Sequence, residues 1–196
     1  MGLDHEALMG LAIVEAERGR GSTGDNPWVG CVITDASGRI LGRGHTQGPG
    51  EDHAEIGALR EADARGEDVR GATMYSTLEP CSFHGRTAAC SRVIVLRGVL
   101  RVVFAMRDPH PRVDGEGMRI LREAGVLVVE SVREAEVRRQ LGVWVVAHHP
   151  HEPQARARSL ASTLNDDELT QALATAYAID PAVAAKIAHE GRLGGE

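Results

Sequence analysis

The sequence predicts an α/β sandwich whose mostly parallel, five-stranded sheet is covered by helices on both faces. Two observations carry this expectation. A hairpin pattern is followed by strand, helix, strand, helix and strand in alternation, and helical runs are closed by glycines at Gly19, Gly66, Gly98 and Gly125. The run Val99 to Met106 also has the Val-rich, near-continuous apolar character of a strand buried on both faces.

The elements follow in chain order. Residues 5 to 18 carry Leu8, Leu11, Ala12 and Ala16 at helical spacing behind Asp4, a suitable N-cap, and Gly19 and Gly21 stop the run. Trp28 to Ile33 and Arg39 to Gly42 are strands joined through Asp35-Ala36-Ser37-Gly38. His53 to Arg65 is helical, with Ile56, Ala58, Leu59 and Ala62 on one face. Then come a strand over Ala72 to Leu78, a short helix over Ala88 to Leu96, the strand Val99 to Met106 and a helix over Gly117 to Ala124. The strand Val126 to Val129 and a charged helix over Val132 to Leu141 complete the alternation. From His148-His149-Pro150-His151 the chain turns polar through Arg158. Asn165 or Asp166 then caps a helix bearing Leu169, Leu173 and Tyr177, and Asp180-Pro181 opens another with Val183 and Ile187.

Composition narrows the function. At 196 residues there is room for one typical domain and a remainder. Apolar runs such as Val143 to Ala147 are far short of the about 18 residues a membrane span needs, and no charged-then-apolar leader opens the chain. Glu6 stands where N-myristoylation requires Ser or Thr. The expectation is a cytoplasmic protein with no membrane partner. The 22 basic and 28 acidic residues leave a net charge of −6, which disfavours nucleic acid as a partner and favours a small-molecule substrate. Three cysteines are too few for a disulfide framework, leaving metal ligation, nucleophilic chemistry or burial as their roles.

The strongest chemical signal is a pair of fragments: His53-Ala54-Glu55 opening one helix, and Pro80-Cys81 with Cys90 around the loop before the next. With nine histidines and 28 acidic residues, a His-x-acid match is unremarkable by itself. Its combination with a Pro-Cys after a strand and a second Cys near the following helix is not. One imidazole and two thiolates form a tetrahedral zinc set with the fourth position open, the arrangement of catalytic sites. Glu55 is then placed to move protons without binding the metal, the signature of zinc deaminases. Burial alone is the competing role for Cys81 and Cys90 and the favoured one for Cys31, which lies inside an apolar strand. His148, His149 and His151 could form a second metal site but read rather as a solvated boundary, and His5 and His189 as surface residues.

At these residues the sequence resembles the cytidine deaminase superfamily, and within it the deaminase domain of the bifunctional riboflavin-biosynthesis deaminase/reductases. Eight residues separate the two cysteines in Pro80-Cys81-Ser82-Phe83-His84-Gly85-Arg86-Thr87-Ala88-Ala89-Cys90, as in the riboflavin type. Asn26-Pro27, Val29-Gly30-Cys31-Val32, Thr77-Leu78-Glu79 and Asp108-Pro109 extend the match over roughly residues 5 to 142. The resemblance implies a three-layer α/β/α, cytidine-deaminase-like fold, with zinc on His53, Cys81 and Cys90 and Glu55 as the catalytic proton shuttle. It implies substrate contacts from Asn26, His45, Phe83, His84, Arg86, Asp108 and His110, although the ungapped register puts Thr46 rather than His45 at the family histidine. It also implies association, with a homodimer or higher homo-oligomer as the expectation.

Four positions depart from the family pattern. Trp28 replaces a small polar residue, Phe83 a usual His and His110 a usual Asn, and Glu116 stands where a basic residue is frequent. If Glu116 faces the site, its carboxylate would repel a phosphorylated substrate. No Gly-rich dinucleotide fingerprint is present, so a stand-alone deaminase without the reductase is expected. The division expected is a zinc-dependent deaminase domain over 1–147 and a linker with a C-terminal helical tail over 148–196. The expected reaction is hydrolytic release of ammonia from a small amino-substituted heterocycle, aminopyrimidine-like or purine-like. Alternatives are the diaminohydroxyphosphoribosylaminopyrimidine deaminase of a split riboflavin pathway, a tRNA adenosine-type deaminase, and a non-enzymatic zinc-stabilised subunit.

Overall fold

A computed structural model describes residues 2–82, 89–111 and 113–193. The chain divides into two compact units, Met1–Val137 and Arg138–Glu196. In the first, α1 (His5–Glu17) precedes the hairpin β1 (Gly30–Thr34) and β2 (Ile40–His45), followed by α2 (Ala54–Ala64) and β3 (Thr73–Leu78). Next come α3 (Cys90–Leu96), β4 (Arg101–Met106), α4 (Glu116–Glu123) and β5 (Leu127–Val129). The division falls within α5 (Glu134–His148).

The five strands form one sheet in the order β2-β1-β3-β4-β5. β1 is antiparallel to both β2 and β3, whereas β3, β4 and β5 are parallel, so β1 alone runs against the other four strands. The mixed, mostly parallel expectation holds in this sense. β1 and β3 are buried at every position.

Two glycine contacts establish the layers. A side chain at Gly30 would strike the backbone of Ala12 and Ala16, so α1 lies directly on β1. A side chain at Gly44 would strike the backbone of Ala54 and Ala58, so α2 lies directly on β2. Gly44 is paired with Cys31, the neighbour of Gly30, and successive residues of a strand face opposite sides. The two helices therefore cover opposite faces. Asp4 caps α1 by accepting from Ala7 N at 3.0 Å, as expected, but the fully buried positions of α1 include Met9 rather than Leu8 or Leu11. His5 is half-buried, not a surface residue, with Nδ1 at 2.8 Å from the hydroxyl of Tyr75.

The second unit contains α6 (His151–Leu160), α7 (Asp166–Tyr177) and α8 (Pro181–Leu193). Asn165 is the α7 cap: its side chain accepts from Glu168 N and its own N–H donates to the Glu168 carboxylate, each at 3.0 Å, a reciprocal capping box. Asp180 accepts from Ala182 N at 2.7 Å before Pro181 opens α8. Leu169, Leu173, Tyr177, Ala184, Ile187 and Ala188 form the buried faces. The sequence expectation missed α6, whose buried residues are only Pro153 and Ala157; Ala157 packs against Gly191, so small residues replace the apolar stripe that marks a helix. The helix expected to end at Leu141 continues to His148. At the histidine boundary His148 and His151 are exposed as expected, whereas His149 is buried, with its ring 4.8 Å from that of Trp144. Among the described residues no helix is long and apolar enough to cross a membrane.

Candidate metal centre and active site

The parallel neighbours β3 and β4 end side by side at the Leu78 and Met106 pair. The chain leaves β3 through Pro80 and Cys81, and leaves β4 through Asp108. The carboxyl ends of such strands are where open sheets form their crevices. Gly44 lets the start of α2 settle onto β2, and that end carries His53 and Glu55. His53 is the N-cap residue of α2 but makes no side-chain capping bond, so its imidazole is not spent on the helix.

His53, Cys81 and Cys90 come together with their ligand atoms all within 4.8 Å of one another. Nδ1 of His53 lies 3.6 Å from Sγ of Cys81 and 3.5 Å from Sγ of Cys90. Zn–S and Zn–N bonds of about 2.3 and 2.0 Å at a tetrahedral angle put the two donor atoms about 3.5 Å apart. The donor set and its spacing fit zinc. The amide of Cys90, at the start of α3, donates to Sγ of Cys81 at 3.3 Å, and Ser91 N donates to the Cys81 carbonyl at 3.1 Å. The first amides of α3 thus hold Cys81, a placement that favours thiolate.

The electrostatics suit both roles. Hydrogen bonding to the Cys90 thiol, aided by His53, takes the Cys81 thiol well below its ordinary value despite burial. Cys90 is pushed the other way by Cys81, burial and Glu55. Glu55 is only 4% exposed, and burial followed by the charge on Cys81 pushes its pKa up to about 7. Asp108 is likewise pushed up to about 7, chiefly by burial, and it feels the charges of Glu79, Cys81 and His53.

The remaining expected residues fall in different places. Asn26 is exposed in a turn closed by Thr23 Oγ1 donating to the Asn26 carbonyl at 2.7 Å. Asp108 Oδ1 accepts from His110 N at 2.8 Å, which shapes the loop after β4. His45 turns to the α1 side of the sheet, where Nδ1 lies 3.0 Å from Oε1 of the buried Glu15, away from the face that α2 covers. Thr46 is buried and accepts from Val29 N at 3.1 Å, a structural use of the family-register position. Phe83, His84 and Arg86 lie outside the described residues. Glu116 does not present a bare carboxylate: Arg119 donates to it at 2.6 and 2.8 Å and lowers its pKa. Cys31 is fully buried in β1. Sequence reasoning assigned no role to Glu79, which is buried at the end of β3; the available signal was a carboxylate closing an otherwise uncharged strand.

The chain belongs to the family of cytidine and deoxycytidylate deaminases, whose zinc-binding region matches residues 3–106. Its metal is accordingly zinc. Among curated proteins it is similar to the riboflavin biosynthesis protein RibD of Escherichia coli, with 47% identity over 134 residues, 68% of this chain and 35% of that protein. Among solved structures, RibD of Acinetobacter baumannii superposes with a TM-score of 0.68 at 38% identity over 74% of this chain and 40% of the other. The diaminohydroxyphosphoribosylaminopyrimidine deaminase/5-amino-6-(5-phosphoribosylamino)uracil reductase of Thermotoga maritima gives 0.69 at 38% identity over 75% and 42%. The chain spans about a third of the length of the curated relatives it matches.

Proposed function

We propose that this chain hydrolytically removes an exocyclic amine, as ammonia, from a small amino-substituted heterocycle, and that residues 1–147 carry the activity while 148–196 form an accessory helical segment. The observation that carries the reading is the convergence of His53, Cys81 and Cys90 beside the buried Glu55. Bound at the three donors, zinc supplies the Lewis acidity that makes water ionise near neutral pH. Glu55, with a pKa near 7, can take one proton from the attacking water and hand it to the ring nitrogen, then move the remaining hydroxyl proton to the leaving amine. The carbon–nitrogen bond breaks, a carbon–oxygen bond forms, and ammonia departs.

The particular substrate we propose is an aminopyrimidine bearing a ribosylamino phosphate, the kind of molecule the similar Thermotoga protein is named for. The Arg119 contact supports this reading, because it offsets the Glu116 charge that would otherwise repel a phosphate. Asn26, Asp108 and His110 are proposed substrate contacts. A net charge of −6 supports a small molecule over nucleic acid, and a homodimer is the proposed assembly.

Ammonia release from a panel of amino-heterocycles, with and without phosphate, tests the reading. Glu55→Gln should keep its zinc and lose turnover by about 100-fold or more. Full turnover in that variant would sink the mechanism, and a preference for unphosphorylated heterocycles would overturn the substrate assignment.

A further inference from the structure

We infer that Glu79 is a positioning residue that locks the loop following β4, with Asp108 and His110, to the turn that carries Cys81. The inference rests on the proposed reading in which that loop lines the substrate side of the metal centre.

Glu79 lies between β3 and Pro80-Cys81 and is 3% exposed. Its backbone N–H donates to the carbonyl of Met106 at 2.9 Å, where the loop begins. Its carboxylate accepts from Gly115 N at 3.0 Å and Met118 N at 3.2 Å, where the loop ends and α4 starts. Both ends of the loop are therefore tied to one residue, two positions before a metal ligand. A side chain at Gly117 would strike the Pro80 carbonyl, so the first turn of α4 is seated on the same turn of chain.

A merely stabilising cap would be simpler to build. Helices usually take their cap from the N-cap residue itself, commonly Ser, Thr, Asp or Asn. Here the N-cap is Gly115, which has no side chain to offer, and the acceptor comes from the residue that follows a distant strand, at the cost of burying a carboxylate. The long-range bond supplies what a local cap does not, a rigid link between the Cys81 turn and the Asp108 loop. Glu79 acts through that link, not by touching substrate.

The test uses the full chain, metal-free and zinc-loaded. In the wild type, zinc loading should slow hydrogen exchange at the amides of His110, Gly115 and Met118. In Glu79→Gln that metal-linked protection should be lost while zinc content stays at the wild-type level. KM should rise about tenfold, the lower end of what loss of an outer-shell partner costs, with a smaller change in kcat. Gly117→Ala, which displaces α4 from Pro80 with Glu79 intact, should reproduce the effect and carries the test should Glu79→Gln not fold. Wild-type KM and wild-type metal-linked protection in the variants, even with a lowered Tm, would overturn the inference. If the wild type releases ammonia from no amino-heterocycle, the functional reading falls while the exchange measurement still decides the link.

Discussion

The backbone N–H of Cys90 donates to Sγ of Cys81 at 3.3 Å, so one proposed metal ligand supports the thiolate of another across nine positions of sequence. The bond explains why the second cysteine stands at the start of a helix. Its side chain is one of the three donors proposed to hold the metal, and its amide is one of the first-turn donors that a helix leaves without an internal partner.

Removing a ligand should cost more than removing a support. Purified protein is expected to hold about one zinc per chain, as a single three-ligand site requires. Cys81→Ser should weaken zinc binding by more than the about 10- to 100-fold that loss of an outer-shell partner costs. Competition against a chromogenic chelator measures this, and wild-type affinity in the variant would remove Cys81 from the ligand set.

Gly44→Ala places a methyl group against the backbone of Ala54 and Ala58, which cannot swing aside as a side chain can. α2 must lift from β2, with a destabilisation of about 1–3 kcal/mol. Because His53 and Glu55 ride on the raised end, zinc affinity should fall with stability. Denaturant midpoints and chelator competition on one preparation check whether the two losses travel together.

Asp108 gives the metal-free protein a pH dependence of defined sign. Burial raises its pKa from the ordinary 3.8 to about 7, so the folded state holds the proton more tightly than the unfolded chain. The stabilising share is fully present below pH ~4 and is lost as pH rises through about 7, up to about 4 kcal/mol in all. Asp108→Asn cannot lose that proton. Urea unfolding of zinc-free wild type and variant should show the variant gaining on the wild type from pH 4 to 7, and parallel curves would refute the shift.

In the second unit, α7 depends on a cap and a core. Leu169 is fully buried, and Leu169→Ala should cost about 2–5 kcal/mol, whereas Asn165→Ala, which removes half of the capping box, should cost about 1 kcal/mol. Chemical denaturation followed by circular dichroism gives both values. Equal losses would mean that the cap does more than end the helix.

The local sequence specified much of this molecule. Alternating periodicity and glycine stops revealed the five strands and the helices between them, because those signals act within a few residues. The spacing of His53, Glu55, Cys81 and Cys90 pointed to the group of donors that the fold brings together, because zinc admits few donor sets. What stayed hidden depends on partners remote in sequence. α6 packs through Ala157 on Gly191 and shows no apolar stripe. His45 turns to Glu15, thirty positions away, because β2 alternates between α2 and α1. Glu79 reads as one carboxylate among many until the sheet brings the ends of β3 and β4 together. The sequence by itself determined the fold class and singled out the candidate donors His53, Cys81 and Cys90. Only the tertiary structure decided which carboxylates are exposed, buried or paired, because burial and pairing are set by neighbours that the chain reaches only on folding.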